Sequence, residues 1–180
     1  MATTKTHDKH TEKMVIGVFR NRVKANQAYD WLLSHGYTSS DVNVLMSDAT
    51  RSFYTEESDK ISVGNMGTEG VATGGTIGTI VGATIAAIAA IGTSIAVPGL
   101  GMIIAGPIAA ALAGGGAGAL AGGLVGGLVG LGIPESNASA YEEALKDGGV
   151  VIGVHPMDKE GSSRIKEVFE ELSAENIICN

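Results

Sequence analysis

The stretch Gly122-Gly123-Leu124-Val125-Gly126-Gly127-Leu128-Val129-Gly130-Leu131-Gly132-Ile133-Pro134-Glu135 decides how the rest of the chain is read. It closes a run, from Gly70 to Pro134, that contains no Asp, Glu, Lys, Arg or His. The run holds 65 residues, of which 19 are glycine and 15 alanine, and none is aromatic. All 31 charged residues therefore fall in the remaining 115, near the ~25% charge density of an ordinary soluble domain. Two chemically different objects share the chain. One is a soluble acidic part divided into residues 14–48 and 134–180; the other is an uncharged apolar insert, residues 70–133, preceded by a polar linker at 49–69.

The insert reads as a helical hairpin. Val71 to Val97 is proline-free, Pro98-Gly99-Leu100-Gly101 and Gly106-Pro107 are breaks, and Pro107 to Leu131 is again free of internal proline. Pro98, Gly99, Gly101 and Pro107 are then the turn between two antiparallel arms. Each arm exceeds the roughly 20 residues that a helix needs to cross a bilayer core. Glycine costs a helix about 1 kcal/mol relative to alanine, so this many glycines need a packing reason, and their spacing supplies one. Gly74, Gly78 and Gly82 recur every four residues and Ala86 and Ala90 continue the row; Gly114, Gly118, Gly122, Gly126 and Gly130 do the same in the second arm. Residues four apart share a helical face, and a face of small residues admits another backbone closely. These ten positions are the expected helix–helix interface.

Length and lack of charge favour a hairpin inserted in or attached to a membrane. The absence of a Trp or Tyr belt and the acidic flanks, Glu69 and Glu135, oppose it. The alternatives are a soluble homo-oligomer whose hairpins bury one another, and a hairpin folded over the sheet of its own chain. The first two predict self-association.

The acidic halves carry strand and helix patterns. Met14-Val15-Ile16-Gly17-Val18-Phe19 reads as a buried strand, Asn21 to His35 as a helix stopped by Gly36, and Val42 to Met46 as a second strand. Beyond the insert, Pro134 and Glu135 open a helix in which Ala138, Tyr141 and Leu145 share a face. Val150 to Val154 is a strand, a helix capped by Ser162 or Ser163 follows, and Ile177-Ile178-Cys179 ends the chain as a short strand. The sum predicts an α+β fold, a ferredoxin-like sandwich interrupted by the hairpin. The helix at 135–147 is additional to the minimal version of that sandwich.

Composition excludes several functions. Twelve Lys and Arg against 19 Asp and Glu give a net charge of −7, the wrong sign for nucleic acid. A single cysteine, Cys179, excludes an internal disulfide and a cysteine-rich metal site. Residues 1–13 are polar, read as a disordered tail and not as a signal peptide, and place the acidic domain in the cytoplasm. His7 and His10 lie in that tail, His35 suits a helix C-terminus and His155 ends a strand. Glu56, Glu57 and Asp59 match no calcium-loop spacing. Gly116 to Ala121 matches G-x-G-x-x-A only inside an apolar helical run, without the strand that a dinucleotide site requires. No catalytic residue, cofactor site or metal site is expected.

The chain resembles the bacterial general-stress and low-temperature-induced proteins that carry a glycine-zipper hairpin inside a small α/β domain. The resemblance rests on Val15-Ile16-Gly17-Val18-Phe19 with its following helix, on Ile95 to Gly101, on Ala105 to Gly114, on Gly122 to Glu135, and on Tyr141-Glu142 and Gly148-Gly149-Val150-Val151. It implies stress induction and membrane or envelope association, and it implies no catalytic residue. The expected function is that of a non-enzymatic, self-associating structural protein with itself and membrane lipid as partners. A small-ligand-sensing module anchored by the hairpin is the alternative.

Overall fold

Val15–Phe19 forms β1, Val42–Ser47 β2, Ser94–Val97 β3, Met102–Ala105 β4, Val150–Val154 β5 and Glu175–Cys179 β6. They belong to a computed structural model that describes residues 13–54, 94–97, 101–114 and 122–180. The helices are α1 (Arg22–Ser34), α2 (48–54), α3 (Pro107–Gly114), α4 (Gly123–Gly130), α5 (Glu135–Lys146) and α6 (Lys159–Glu171). The chain is α+β. Its six strands make one sheet in the order β3-β4-β2-β5-β1-β6, and every neighbouring pair is antiparallel.

Both faces of the sheet are covered. Val15, Phe19, Val44, Met46, Val150, Ile152 and Val154 pack on one side with Ala25, Tyr29 and Leu32 of α1, Tyr54 of α2, and Ile165 and Phe169 of α6. Ile16, Val18, Leu45, Val151, Met102 and Ile104 pack on the other with Ile108 and Leu112 of α3, Leu124 and Leu128 of α4, and Tyr141 and Leu145 of α5. Successive strand residues point to opposite faces. A strand covered on both sides is apolar throughout, which is why β1 and β5 read as unbroken apolar runs.

The helix ends follow from local chemistry. Asn21 caps α1, its side chain accepting from the amides of Val23 and Lys24. At the other end Gly36 sits at φ +87°, the amide of Tyr37 reaches the carbonyl of Leu32 and that of Gly36 reaches Leu33. This is the left-handed stop expected of a glycine at that position. α6 begins earlier than the serines suggest. Its cap is Asp158, which accepts from the amide of Gly161. α2 occupies the start of the polar stretch read as linker: Ser47 Oγ accepts from the amide of Thr50 at 3.2 Å, an N-cap bond that starts a helix there.

The insert departs from the expected hairpin. Residues 94–97 and 102–105 are paired strands, with Val97 opposite Met102. The Pro98–Gly101 break therefore joins two strands and not two helices. Isoleucine, valine and a short glycine-containing loop suit a β-hairpin, and apolar content alone does not separate a buried strand from a buried helix. The second arm is not one helix either. α3 and α4 have 8 residues each, about 12 Å of helix against the ~30 Å of a bilayer core. Gly123 at φ +67° lies outside the right-handed helical range where α4 starts. Among the described residues no helix is long and apolar enough to cross a membrane, which overturns the transmembrane hairpin. The described part of the insert extends the sheet at β2 and covers its second face. Residues 71–93 of the first arm, with Gly74, Gly78, Gly82, Ala86 and Ala90, lie outside the described residues, as do Pro98, Gly99 and Gly118.

Candidate functional site

The docking of the insert begins at one buried side chain. Asn43 of β2 is fully buried and points to the second face. Its Oδ1 accepts from the amide of Ile108 at 2.6 Å, and its Nδ2 donates to the carbonyl of Gly153 at 3.3 Å. A side chain from the sheet thus caps the first turn of α3, whose own sequence, Gly106-Pro107-Ile108, supplies no capping oxygen. Gly106 makes the approach possible. It sits at φ +102°, and a Cβ there would lie 2.4 Å from the carbonyl oxygen of Val42. Pro107, expected in a turn between helices, is the first residue of α3 and suits that position because it has no amide hydrogen to leave unpaired.

α4 is held by its own C-terminal turn and by α5. The amide of Ile133 reaches the carbonyl of Leu128, and that of Gly132 reaches Val129. Ile133 and Leu128 are both buried in this paired stop. Pro134 and Glu135 then start α5, so the Gly-Ile-Pro-Glu junction is the turn of an α4–α5 hairpin. Asn180 Nδ2 donates to the carbonyl of Gly132 at 2.7 Å and ties the end of the chain to that turn.

The inward side of these helices carries Ile108, Ala109, Leu112, Leu124, Gly127 and Leu128. Among the described residues the outward side carries alanine and glycine with one larger residue, Val129. Ala110, Ala111 and Ala113 are exposed on α3; Gly122, Gly126, Val129 and Gly130 are exposed at α4. Val129 is 42% exposed. Nothing among the described residues lies within 4 Å of where a Cβ on Gly126 or Gly130 would stand. The helix Gly123–Gly130 contains no polar side chain at all. Gly126 and Gly130 of α4 and its N-cap Gly122 thus lie on the exposed side, and Gly114 ends α3. Gly101 stands apart, in the loop between β3 and β4.

The titratable groups are mainly structural. Burial pushes the phenol of Tyr29 up to about 12, with the carboxylate of Asp30 adding to the shift. Burial likewise raises Tyr141, whose hydroxyl donates to the carbonyl of Asn176 at 2.9 Å. Arg20 spans Glu175 at 2.9 Å and Asp147 at 3.3 Å on the surface. Cys179 is exposed on the edge strand β6. Among the described residues no group of three or more His, Cys, Asp or Glu side chains could hold a metal ion. Two features escape sequence reading. Asn43 looks like any polar residue on a strand, and Trp31, His35 and Tyr37 meet the start of α6 only in three dimensions.

Comparison with family models, with curated proteins and with solved structures finds no match.

Proposed function

We propose that this chain is a non-enzymatic, stress-associated protein that self-associates, a second copy covering the outward face of α3 and α4. The observation that carries the reading is the open row Gly122, Gly126 and Gly130 on a helix without a polar side chain. Exposed small apolar residues leave the backbone accessible, and a partner helix can approach such a face more closely than any other. A face of this kind is complementary to itself, so a two-fold axis can close the contact without a second protein. The stress association follows the resemblance of the insert and its junctions to the glycine-zipper family. We read the unit β1-α1-β2 with β5-α6-β6, whose strands run β2-β5-β1-β6, as a ferredoxin-like sandwich. The β3–β4 hairpin and α3–α5 are its added second layer.

The test replaces Gly126 and Gly130 together by leucine and follows mass by light scattering across a dilution series. Both positions are exposed, so larger side chains fit the separate chain. Leucine also favours a helix over glycine by about 0.8 kcal/mol. The variant is expected to be more stable as a separate chain and to have lost its assembly. An unchanged oligomer mass would overturn the proposal.

A further inference from the structure

A second site lies on the opposite side of the sheet, where the end of α1 meets the start of α6. Trp31, His35, Tyr37, Met157, Asp158 and Arg164 line a cleft of about 210 Å³, the room of roughly seven waters. Its wall is an aromatic pair. The Trp31 and His35 rings stack at 4.0 Å between centroids, 25° from parallel. His35 Nδ1 lies 2.8 Å from the carbonyl of Trp31. A carbonyl only accepts, so Nδ1 carries the proton, and Nε2 of the neutral ring is left as an acceptor. Tyr37 is buried, with its hydroxyl hydrogen-bonded to the backbone of Met157. A side chain at Gly161 would fill the floor: a Cβ there would lie 2.8 Å from the Tyr37 hydroxyl. Met157 is 45% exposed at the rim.

The charged groups around this wall are not spent on each other. Asp158 uses Oδ1 to accept from the amide of Gly161 at 2.6 Å, which leaves Oδ2 without a partner among the described residues. Arg164 forms no ion pair with any described residue. Among the described residues, an exposed carboxylate oxygen, an imidazole nitrogen and a guanidinium without partners therefore line one aromatic-walled concavity. A pocket of this composition, apolar with a few convergent polar groups, is the general form of a small-molecule site.

We infer that this cleft binds a free α-amino acid with an apolar side chain. The guanidinium of Arg164 receives the carboxylate, for which its planar fork is suited. Asp158 and His35 Nε2 receive the ammonium group. The side chain lies against Met157 and the Trp31 edge. Opposite charges on one small ligand match opposite charges held apart in the cleft. The site is independent of the α3–α4 surface.

Trp31 is the only tryptophan, so its fluorescence reports on the cleft directly, with calorimetry as the parallel readout. The full chain is titrated with L-leucine, with N-acetyl-L-leucine, which lacks the ammonium group, and with L-leucinamide, which lacks the carboxylate. L-leucine is expected to bind saturably with Kd below about 1 mM. Each analogue is expected to bind at least about tenfold more weakly, the equivalent of 1.4 kcal/mol. Arg164→Gln is expected to weaken L-leucine by a similar factor and to abolish discrimination between L-leucine and L-leucinamide. Asp158→Asn keeps a capping oxygen for α6 and is expected to abolish discrimination against the N-acetyl form. Absence of saturable binding by both readouts would overturn the proposal, and so would equal binding of L-leucine and L-leucinamide by the unmodified chain.

Discussion

Replacement of Asn43 by alanine tests how the insert is joined to the sheet. The side chain accepts from the Ile108 amide at 2.6 Å and donates to the Gly153 carbonyl at 3.3 Å, with a weaker contact from Nδ2 to the Met14 sulfur at 3.6 Å. Removing Oδ1 leaves the Ile108 amide without a partner in a buried position, a cost of about 1–3 kcal/mol. The helix-cap contribution, about 0.5–2 kcal/mol, describes the same bond and is not added. Loss of the longer second bond costs about 0.5–1.5 kcal/mol. The expected destabilisation is therefore about 1.5–4.5 kcal/mol, a large share of the 5–15 kcal/mol of a typical domain. Urea unfolding at constant protein concentration measures it. Amide hydrogen exchange locates it: protection is expected to fall across α3, beginning at Ile108, while α1 and α6 on the other face keep theirs. A loss below about 0.5 kcal/mol would refute the role given to Asn43, since a buried donor without a partner costs more than that. A loss spread evenly over both faces would refute its assignment to the docking of α3.

Two further outcomes follow from the same structure. Gly106→Ala is expected to lower the urea midpoint by as much as Asn43→Ala. It forces a side chain into φ +102° and drives a Cβ to 2.4 Å from the Val42 carbonyl oxygen, and such backbone strain alone costs about 1–3 kcal/mol. Stability is also expected to fall at alkaline pH. The Tyr29 phenol is raised in the folded chain from 10.0 to about 12, so the folded state holds its proton more firmly than the unfolded state does. That contribution is complete below pH 10 and is lost as pH rises from 10 towards 12. Across this window the thermal midpoint of the unmodified chain is expected to fall more steeply with pH than that of Tyr29→Phe. Equal slopes would refute the assignment.

The acidic halves were legible because each element carries its own signal. β1, β2 and β5 are β-branched runs, and α1 has Asn21 before it and Gly36 after it. The insert was legible in chemistry but not in shape. Ile95, Ile103 and Ile104 fit a helical row or a strand equally well, and the deciding contact, β2 against β4, is between residues such as Leu45 and Ile104 that lie far apart in the chain. α2 was hidden because its signal is one cap, Ser47, within a polar stretch. The helix at 135–146 had no place in a four-strand plan, and it found one only when α4 supplied its partner. At the glycine face, spacing alone placed Gly122, Gly126 and Gly130 on one side. That this side is the outer one depends on Leu124 and Leu128, which the sheet draws inward.

The exposed glycines carry a thermodynamic implication. Gly127 faces inward, where a side chain would compete with the packed core. Gly126 and Gly130 face outward, where alanine would fit without contact, whereas a Cβ on Gly122 would lie 3.1 Å from the Cα of Gly126. Within the helix, Gly126 alone costs about 1 kcal/mol relative to alanine, and each neighbour in the row adds to the entropy lost on folding. A chain that folded only to cover its own sheet would gain from alanine at Gly126 and Gly130. The glycines therefore oppose folding of the separate chain, and a contact outside it offsets them. A partner that binds only the folded chain adds stability in proportion to RT ln(1 + [L]/Kd). For a second copy, the ligand is the protein itself. The thermal midpoint of the unmodified chain should then rise with its own concentration, whereas that of Gly126→Leu with Gly130→Leu should not. A flat midpoint in both would leave the glycines opposing folding with nothing to offset them, and the face would not be a contact between copies.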